Sequence, residues 1–204
     1  KDKILALAKK EMNEKLNAVT DFKDVGISLF RSFPRLSVSI IDLSITGKDE
    51  FRNDTLISAK SIDVALDLMK AINGTYDILN IGLNTPRIHA IVHENGAANW
   101  NITKPEPETK PTKESEPLSL KLRKYSIENG YIEYNNELGK MRTEIVNLNH
   151  SGSGDFTSDA FTLTTETTAD AITFVNGNIA YLNKVATKID LDLGIDNKAH
   201  KYTF

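Results

Sequence analysis

YDILNIGLNTPRIHAIVHENGAANWNI, residues Tyr76 to Ile102, repeats every second residue. Leu79, Ile81 and Leu83 alternate with smaller or polar residues, Asn84-Thr85-Pro86 interrupts them, and Ile88, Ala90 and Val92 resume the alternation. A period of two places each of these sets on one face of a strand. Glu94-Asn95-Gly96 reads as a tight turn, because Asn-Gly tolerates the positive φ of hairpin turns. Asn99-Trp100-Asn101 closes the unit. The reading is two consecutive strands with one apolar face and no reactive groups, so function is to be sought in that face.

The same pattern extends outward. From Phe33-Pro34 an alternating run carries Leu36, Val38 and Ile40, then Ile41, Leu43 and Ile45, and it ends at Gly47-Lys48-Asp49. The apolar phase slips by one at Ile40-Ile41, where a β-bulge would keep both halves on the same core. Ile57 and Ala59, then Ile62, Val64 and Leu66, repeat the design with a slip at Lys60-Ser61. Asp67 to Ile72, followed by Asn73-Gly74, predicts a short helix with a glycine end. Ahead of these strands, residues 1–18 form an amphipathic helix with Ile4, Leu5, Ala8, Met12 and Leu16 on one side. Such a helix lies on a sheet or, in the sharper reading, on a membrane surface.

Lys104 to Pro117, KPEPETKPTKESEP, has four prolines, alternating charge and no large apolar residue. It predicts a flexible loop between β-rich halves 19–103 and 118–204 of a single domain spanning 1–204. Beyond it, Leu118, Leu120 and Leu122 alternate, as do Tyr125 and Ile127 before Glu128-Asn129-Gly130, and Tyr131 to Tyr134 leads into a turn at Asn135-Asn136. Ile145 to Leu148, Phe161 to Leu163, Ile172 to Phe174, Ile179 to Tyr181 and Ile189 to Leu193 supply further strands. The opposite faces are Thr, Asp, Lys and Ser. The expected fold is α+β and mainly β: an elongated, curved antiparallel sheet with an N-terminal helix and one short helix.

The 204 residues suffice for a core without staples, and the absence of cysteine removes disulfide and thiolate chemistry. A net charge of −3 argues against a nucleic-acid partner. His89 and His93 form an HxxxH, but on a strand their rings project about 13 Å apart, too far to share one ion. Asp63, Asp67, Asp190, Asp192 and Asp196 fall in or beside strand patterns and suit a solvated face. Gly152 and Gly154 of SGSGD precede no helix, which removes a phosphate loop. The expectation is a protein that is not an enzyme, with no metal and no cofactor.

The order of parts resembles the N-terminal domain of the AsmA family, the inner-membrane-anchored envelope proteins of Gram-negative bacteria that include TamB. The residues that carry the resemblance are the Phe33-Pro34 run, the Ile57–Leu66 strand and Leu68-Met69 before Asn73-Gly74. Pro86-Arg87-Ile88 and the Gly96…Asn99-Trp100 ending follow, then Tyr134, Phe161 and Tyr181-Leu182. It covers roughly Thr20 to Leu193. The resemblance implies a periplasmic domain on a single inner-membrane anchor, outside this sequence, and the opening end of a β-groove that conducts phospholipid for outer-membrane biogenesis. No catalytic residue carries over.

One-sided strands need a cover, and only one long and one short helix are on offer. Either the sheet closes on itself as a sandwich or part of its apolar face stays open, and alternation suits both. If it stays open, the expected lipid-contacting residues are Val38, Ile40, Leu43, Ile45, Leu79, Ile81, Leu83, Leu120, Leu122, Phe161 and Leu163. Two other functions fit the same strands: an assembly factor that pairs its edge with strands of outer-membrane proteins, and a closed structural or adhesin module.

Overall fold

The computed structural model describes residues 2–29, 35–73, 77–104 and 119–204. Expectations for Phe33-Pro34, Gly74, the Pro-rich segment after Lys104 and Leu118 lie outside them, as do the side chains of Ile4, Leu5, Ala8 and Leu120. In chain order the elements are α1 (Asp2–Lys15), β1 (Ala18–Asp21), β2 (Asp24–Ser28), β3 (Arg35–Gly47) and a 3-10 turn at Asp49–Phe51. Then come β4 (Thr55–Asp67), α2 (Leu68–Ile72), β5 (Asp77–Asn84), β6 (Arg87–Val92) and β7 (Ser119–Asn136). β8 (Met141–Ser153), β9 (Ala160–Asn176), β10 (Ile179–Asp196) and β11 (Lys201–Thr203) complete them.

All eleven strands belong to one sheet, in the order β1-β3-β4-β5-β7-β8-β9-β10-β11, with β2 beside β3 and β6 between β4 and β7. The mainly-β expectation holds, and both halves of the chain share this sheet. The wholly antiparallel expectation does not hold. β5 and β6 lie end to end in one slot rather than side by side, and β7 runs parallel to both. A parallel neighbour demands a long return connection. Here residues 93–118 must lead from Val92 back to Ser119, beside Asp77, retracing about 50 Å of extended strand. The connection between β6 and β7 therefore serves the parallel junction among the described strands, where chain length is needed.

The phase slips have a collective cause. β3 and β4 stay in register across them, with Ile41 opposite Ser61 and Leu43 opposite Ala59, so no bulge separates the pair there. Instead Asp42 takes φ 51°, and residues near the same line beyond β4 do likewise in the β5–β6 slot, β7 and β8: Thr85 at 49°, Asn129 at 53° and Asn147 at 52°. Asp and Asn tolerate this left-handed region; β-branched Thr85 does so only under constraint. Beside these residues runs a buried line that crosses the sheet strand by strand: Phe22, Leu43, Ala59, Pro86, Gly130, Leu148 and Ala169. Leu43 faces Ala59, and Gly130 faces Leu148. The sheet is creased along this seam. Small residues occupy its middle, Ala59, Pro86 and Gly130, where the flanking rows close over it: a Cβ on Gly130 would stand 2.9 Å from Ile127 Cγ2.

Strands that read as separate in the sequence are joined through the crease. Glu128-Asn129-Gly130 is not a turn but the middle of the 18-residue β7. The runs at 161–163 and 172–174 are one strand, β9, and those at 179–181 and 189–193 are β10.

Two asparagines finish exposed backbone edges. The Asn13 side chain on α1 accepts from Thr20 N–H at 2.9 Å and donates to the Thr20 carbonyl at 2.9 Å, acting as a strand neighbour for β1. α1 ends at Lys15, short of the expected residue 18, because Leu16 bridges to Thr103 and Asn17 N–H bonds the Ile102 carbonyl. Asn99 performs the same task for β6, whose pairing with β4 stops at Ile88. It accepts from Ile91 N–H at 3.0 Å, donates to the His89 carbonyl at 2.7 Å, and gives its own N–H to the Ile91 carbonyl at 3.1 Å. The side chain is 2% exposed. Asn99→Ala leaves two buried backbone groups unmet, so its urea midpoint should fall by about 2–4 kcal/mol of stability at unchanged m. At the other end of this slot, buried Asp77 pairs with Lys70 and ties α2 across the start of β5.

Candidate functional site, an uncovered apolar face

Residues opposite one another in adjacent strands share a face, and the register assembles long rows across the sheet. On one side of the seam lies Ile45, Ile57, Ile88, Ile132, Ile145, Ile172 and Val185, each paired with the next. At about 4.8 Å per strand this row is about 29 Å long. On the other side, Val25, Ile40, Ile62, Leu83 and Ile127 form a second row, and Ile27, Val38, Val64, Ile81 and Tyr125 a third. The reverse face is built from Ser39, Asp63, Gly82, Ser126, Ser151, Glu166 and Asp190 in one matching row.

No second layer of described residues covers the apolar rows. α1 packs at β1 and α2 at β4, leaving the middle strands without a helix. Most row residues are half-buried by their own neighbours, whereas the fully buried apolar residues lie chiefly in the seam. Toward the sheet margins the rows open further: Ile27 is 68% exposed, and on β10 Val185, Ile189 and Leu191 are exposed.

The expected lining divides accordingly. Val38, Ile40, Ile81 and Leu83 stand side by side in adjoining rows, and Ile45 heads the isoleucine row. Leu43 is corrected: it is 4% exposed and belongs to the seam. Leu79 is the extra residue of a bulge, and Ile78 takes the place beside Leu66 that alternation assigns to it. Leu120 sits opposite Ile78. Leu122 lies in a bulge before Lys124 and has no register partner. Phe161 and Leu163 keep strict alternation and pair with Ile195 and Leu193. The reading missed Ile88, Ile132, Ile145 and Ile172 as one set, because their alignment depends on inter-strand register that no single strand reveals.

The chemistry-bearing residues lie elsewhere. His89 Nε2 is 3.9 Å from Glu133, and His93 Nδ1 is 3.1 Å from Glu137 while its ring stacks on Phe51 at 4.8 Å. Arg87 lies over the Tyr131 ring, and the Tyr131 hydroxyl donates to Glu144 at 2.9 Å. That bond to a carboxylate holds the Tyr131 pKa above its ordinary value. Asp63 on β4 accepts from Ser39 on β3, and Asp192 on β10 accepts from Thr164 on β9 at 2.7 Å. These ties knit neighbouring strands across a solvated surface. No helix among the described residues is long and apolar enough to cross a membrane.

The described residues form a single creased sheet, apolar on one side and solvated on the other, with no second layer of described residues on the apolar side. The AsmA family model matches residues 1–196, and the chain belongs to the AsmA family. No curated protein and no solved structure matches it.

Proposed function

We propose that this protein binds phospholipid on its apolar face and conducts it across the strands, in the periplasm of a Gram-negative envelope, at an inner-membrane anchor and in the service of outer-membrane biogenesis. The observation that carries the reading is the uncovered isoleucine row in an AsmA-family chain. Each 100 Å² of apolar surface left to water costs about 2.5 kcal/mol. A patch larger than a few hundred Å² marks a surface with an occupant. The row offers no donor, acceptor or notch for a polar ligand, and its length of about 29 Å compares with the roughly 30 Å hydrocarbon thickness of a bilayer. Hydrocarbon chains satisfy such a surface. No chemical step is assigned to the protein.

One observation favours a second reading. β11 covers β10 only at Gly194 to Asp196, and among the described residues no other strand pairs with that edge, which suits a strand of another protein. The two readings use different parts of the molecule. Photoreactive residues placed at Ile81 and Ile88 should capture phospholipid in cells, while the same residue at Asp63 on the reverse face should capture none. Lipid capture at Asp63 equal to that at Ile88, or capture of outer-membrane proteins alone, would remove the lipid reading.

A further inference from the structure

The row through Ile62, Leu83 and Ile127 stops being apolar on β8 and β9, where it carries His150 and Thr167, before Ile189 restores an apolar residue on β10. His150 Nδ1 lies 2.8 Å from Thr167 Oγ1, and its Nε2 lies 3.2 Å from the hydroxyl of Tyr125 in the neighbouring row. Tyr125 reaches it because Gly152, opposite on β8, has no side chain. A Cβ there would stand 2.3 Å from the tyrosine ring and 2.4 Å from its oxygen. The ring therefore lies down over Gly152 and carries its hydroxyl to His150. Phe156 and Phe161 continue the cluster: the Phe156 centroid lies 6.3 Å from that of Tyr125 and 5.0 Å from that of Phe161.

Proton counting shows what this cluster lacks. A neutral imidazole has one N–H and one bare nitrogen. The bare nitrogen takes a hydrogen from one hydroxyl, and the N–H gives its own to the other hydroxyl oxygen. In either tautomer one hydroxyl hydrogen is left over, at Thr167 or at Tyr125, on a polar stretch of β8 and β9 that continues the apolar rows of β3 to β7. Hydrocarbon cannot accept it. An ester carbonyl or a phosphate oxygen can.

We propose that Tyr125, His150 and Thr167 form a hydrogen-bonding station for the oxygen acceptors of a phospholipid, at its glycerol esters or its phosphate, while the acyl chains lie on the isoleucine row across the seam. This rests on the reading that the face takes phospholipid. It places the polar part of the lipid over β7 to β9 and gives the bound molecule one orientation.

The test compares the wild-type chain with the triple variant Tyr125→Phe, His150→Leu, Thr167→Val, which keeps the shape of the face and removes every donor. Four probes are titrated: a diacyl phospholipid, its diether analogue without ester carbonyls, a diacylglycerol without phosphate, and squalane. The variant should bind the diacyl phospholipid about tenfold more weakly, the worth of a hydrogen bond or so, and squalane as well as wild type does. A loss confined to the diether lipid assigns the station to phosphate, and one confined to diacylglycerol assigns it to the esters. Unchanged phospholipid binding by the variant overturns the station and leaves the three residues as a cross-strand tie only. Wild-type protein that binds squalane but no phospholipid overturns it too, whereas binding of neither sinks the lipid reading itself. Should the variant fail to fold, wild-type protein is labelled with phospholipids carrying a photoreactive group near the glycerol or at the chain end. Glycerol-proximal label on β7 to β9 supports the station, and label there only from the chain end overturns it.

Discussion

Replacing Phe22 by alanine is expected to remove about 3–5 kcal/mol of stability, a large part of what a domain of this kind possesses. Phe22 is 2% exposed, at the margin of the seam, with Leu43 beside it and the Lys9 ammonium 5.1 Å above its ring. It sits at a break between two edge strands, a place where a sheet ordinarily has no core. The expectation follows from where burial is concentrated. In a sandwich the interior is a layer, and deletions along any inward row cost alike. Here the interior is a line, so the cost should collapse within a few residues. Ile27→Ala, on the same edge but 68% exposed, should change stability by less than about 0.5 kcal/mol. Gly130→Val, at the middle of the seam, should be as damaging as Phe22→Ala, since its first added carbon already crowds Ile127 and the Leu148 carbonyl. Urea midpoints of the three variants check this. Equal losses for Phe22→Ala and Ile27→Ala would show that the sheet has a conventional core.

The seam also explains which parts of the fold were legible in the sequence. Alternation exposed part of every long strand, because a period of two survives in any one-sided sheet. It also exposed the phase slips at Ile40-Ile41 and Lys60-Ser61. What it could not supply was their common origin. A left-handed residue inside a strand is most easily Asp, Asn or Gly, and at Thr85-Pro86 and Asn129-Gly130 a Pro or Gly follows it; these are residues that also build turns. Asn129-Gly130 and Thr85-Pro86 therefore imitate loop ends while the strands run on through them. The signal was present all the same: the step of three from Ile40 to Leu43 recurs from Ala59 to Ile62, Leu83 to Pro86, Ile127 to Gly130 and Ala169 to Ile172. One slip reads as a local bulge; the same slip in successive strands reads as a crease. Other features had no sequence signal. The short edges β1, β2 and β11 carry too few residues for a pattern. The parallel junction depends on which strand receives β7, and strand adjacency leaves no periodic trace.

The site was legible in kind and only partly in residues. Val38, Ile40, Ile81 and Leu83 fall on the apolar face as expected, because each strand declares its own apolar side. Leu43 and Leu79 misled for opposite reasons, one because the crease buries it and the other because a bulge takes it out of register. The cluster of His150 with Tyr125 and Thr167 escaped because a histidine in a strand is usually a solvated one. Only the register with Leu83 and Ile127 places it on the apolar side.

Ile132→Lys should leave the protein folded and weaken phospholipid binding about 100-fold. Ile132 stands at the centre of the isoleucine row, between Ile88 and Ile145, and is half-buried. In the free protein the lysine stem can lie along its neighbours while the ammonium reaches water over the open face. The stability cost should therefore stay near 1 kcal/mol, within the usual range for single substitutions. With hydrocarbon laid on the row, that escape closes. A lysine held against acyl chains costs about 2.5–3.5 kcal/mol, which converts to a loss near 100-fold in affinity. Ser126→Lys, in the solvated row, meets no hydrocarbon on either account and should alter neither quantity. The discriminating result is the separation of the two readouts, a binding isotherm with diacyl phospholipid and a urea midpoint on the same samples. A row that serves as core must lose stability when charged, whatever it binds. A row that serves as a surface for lipid loses binding first.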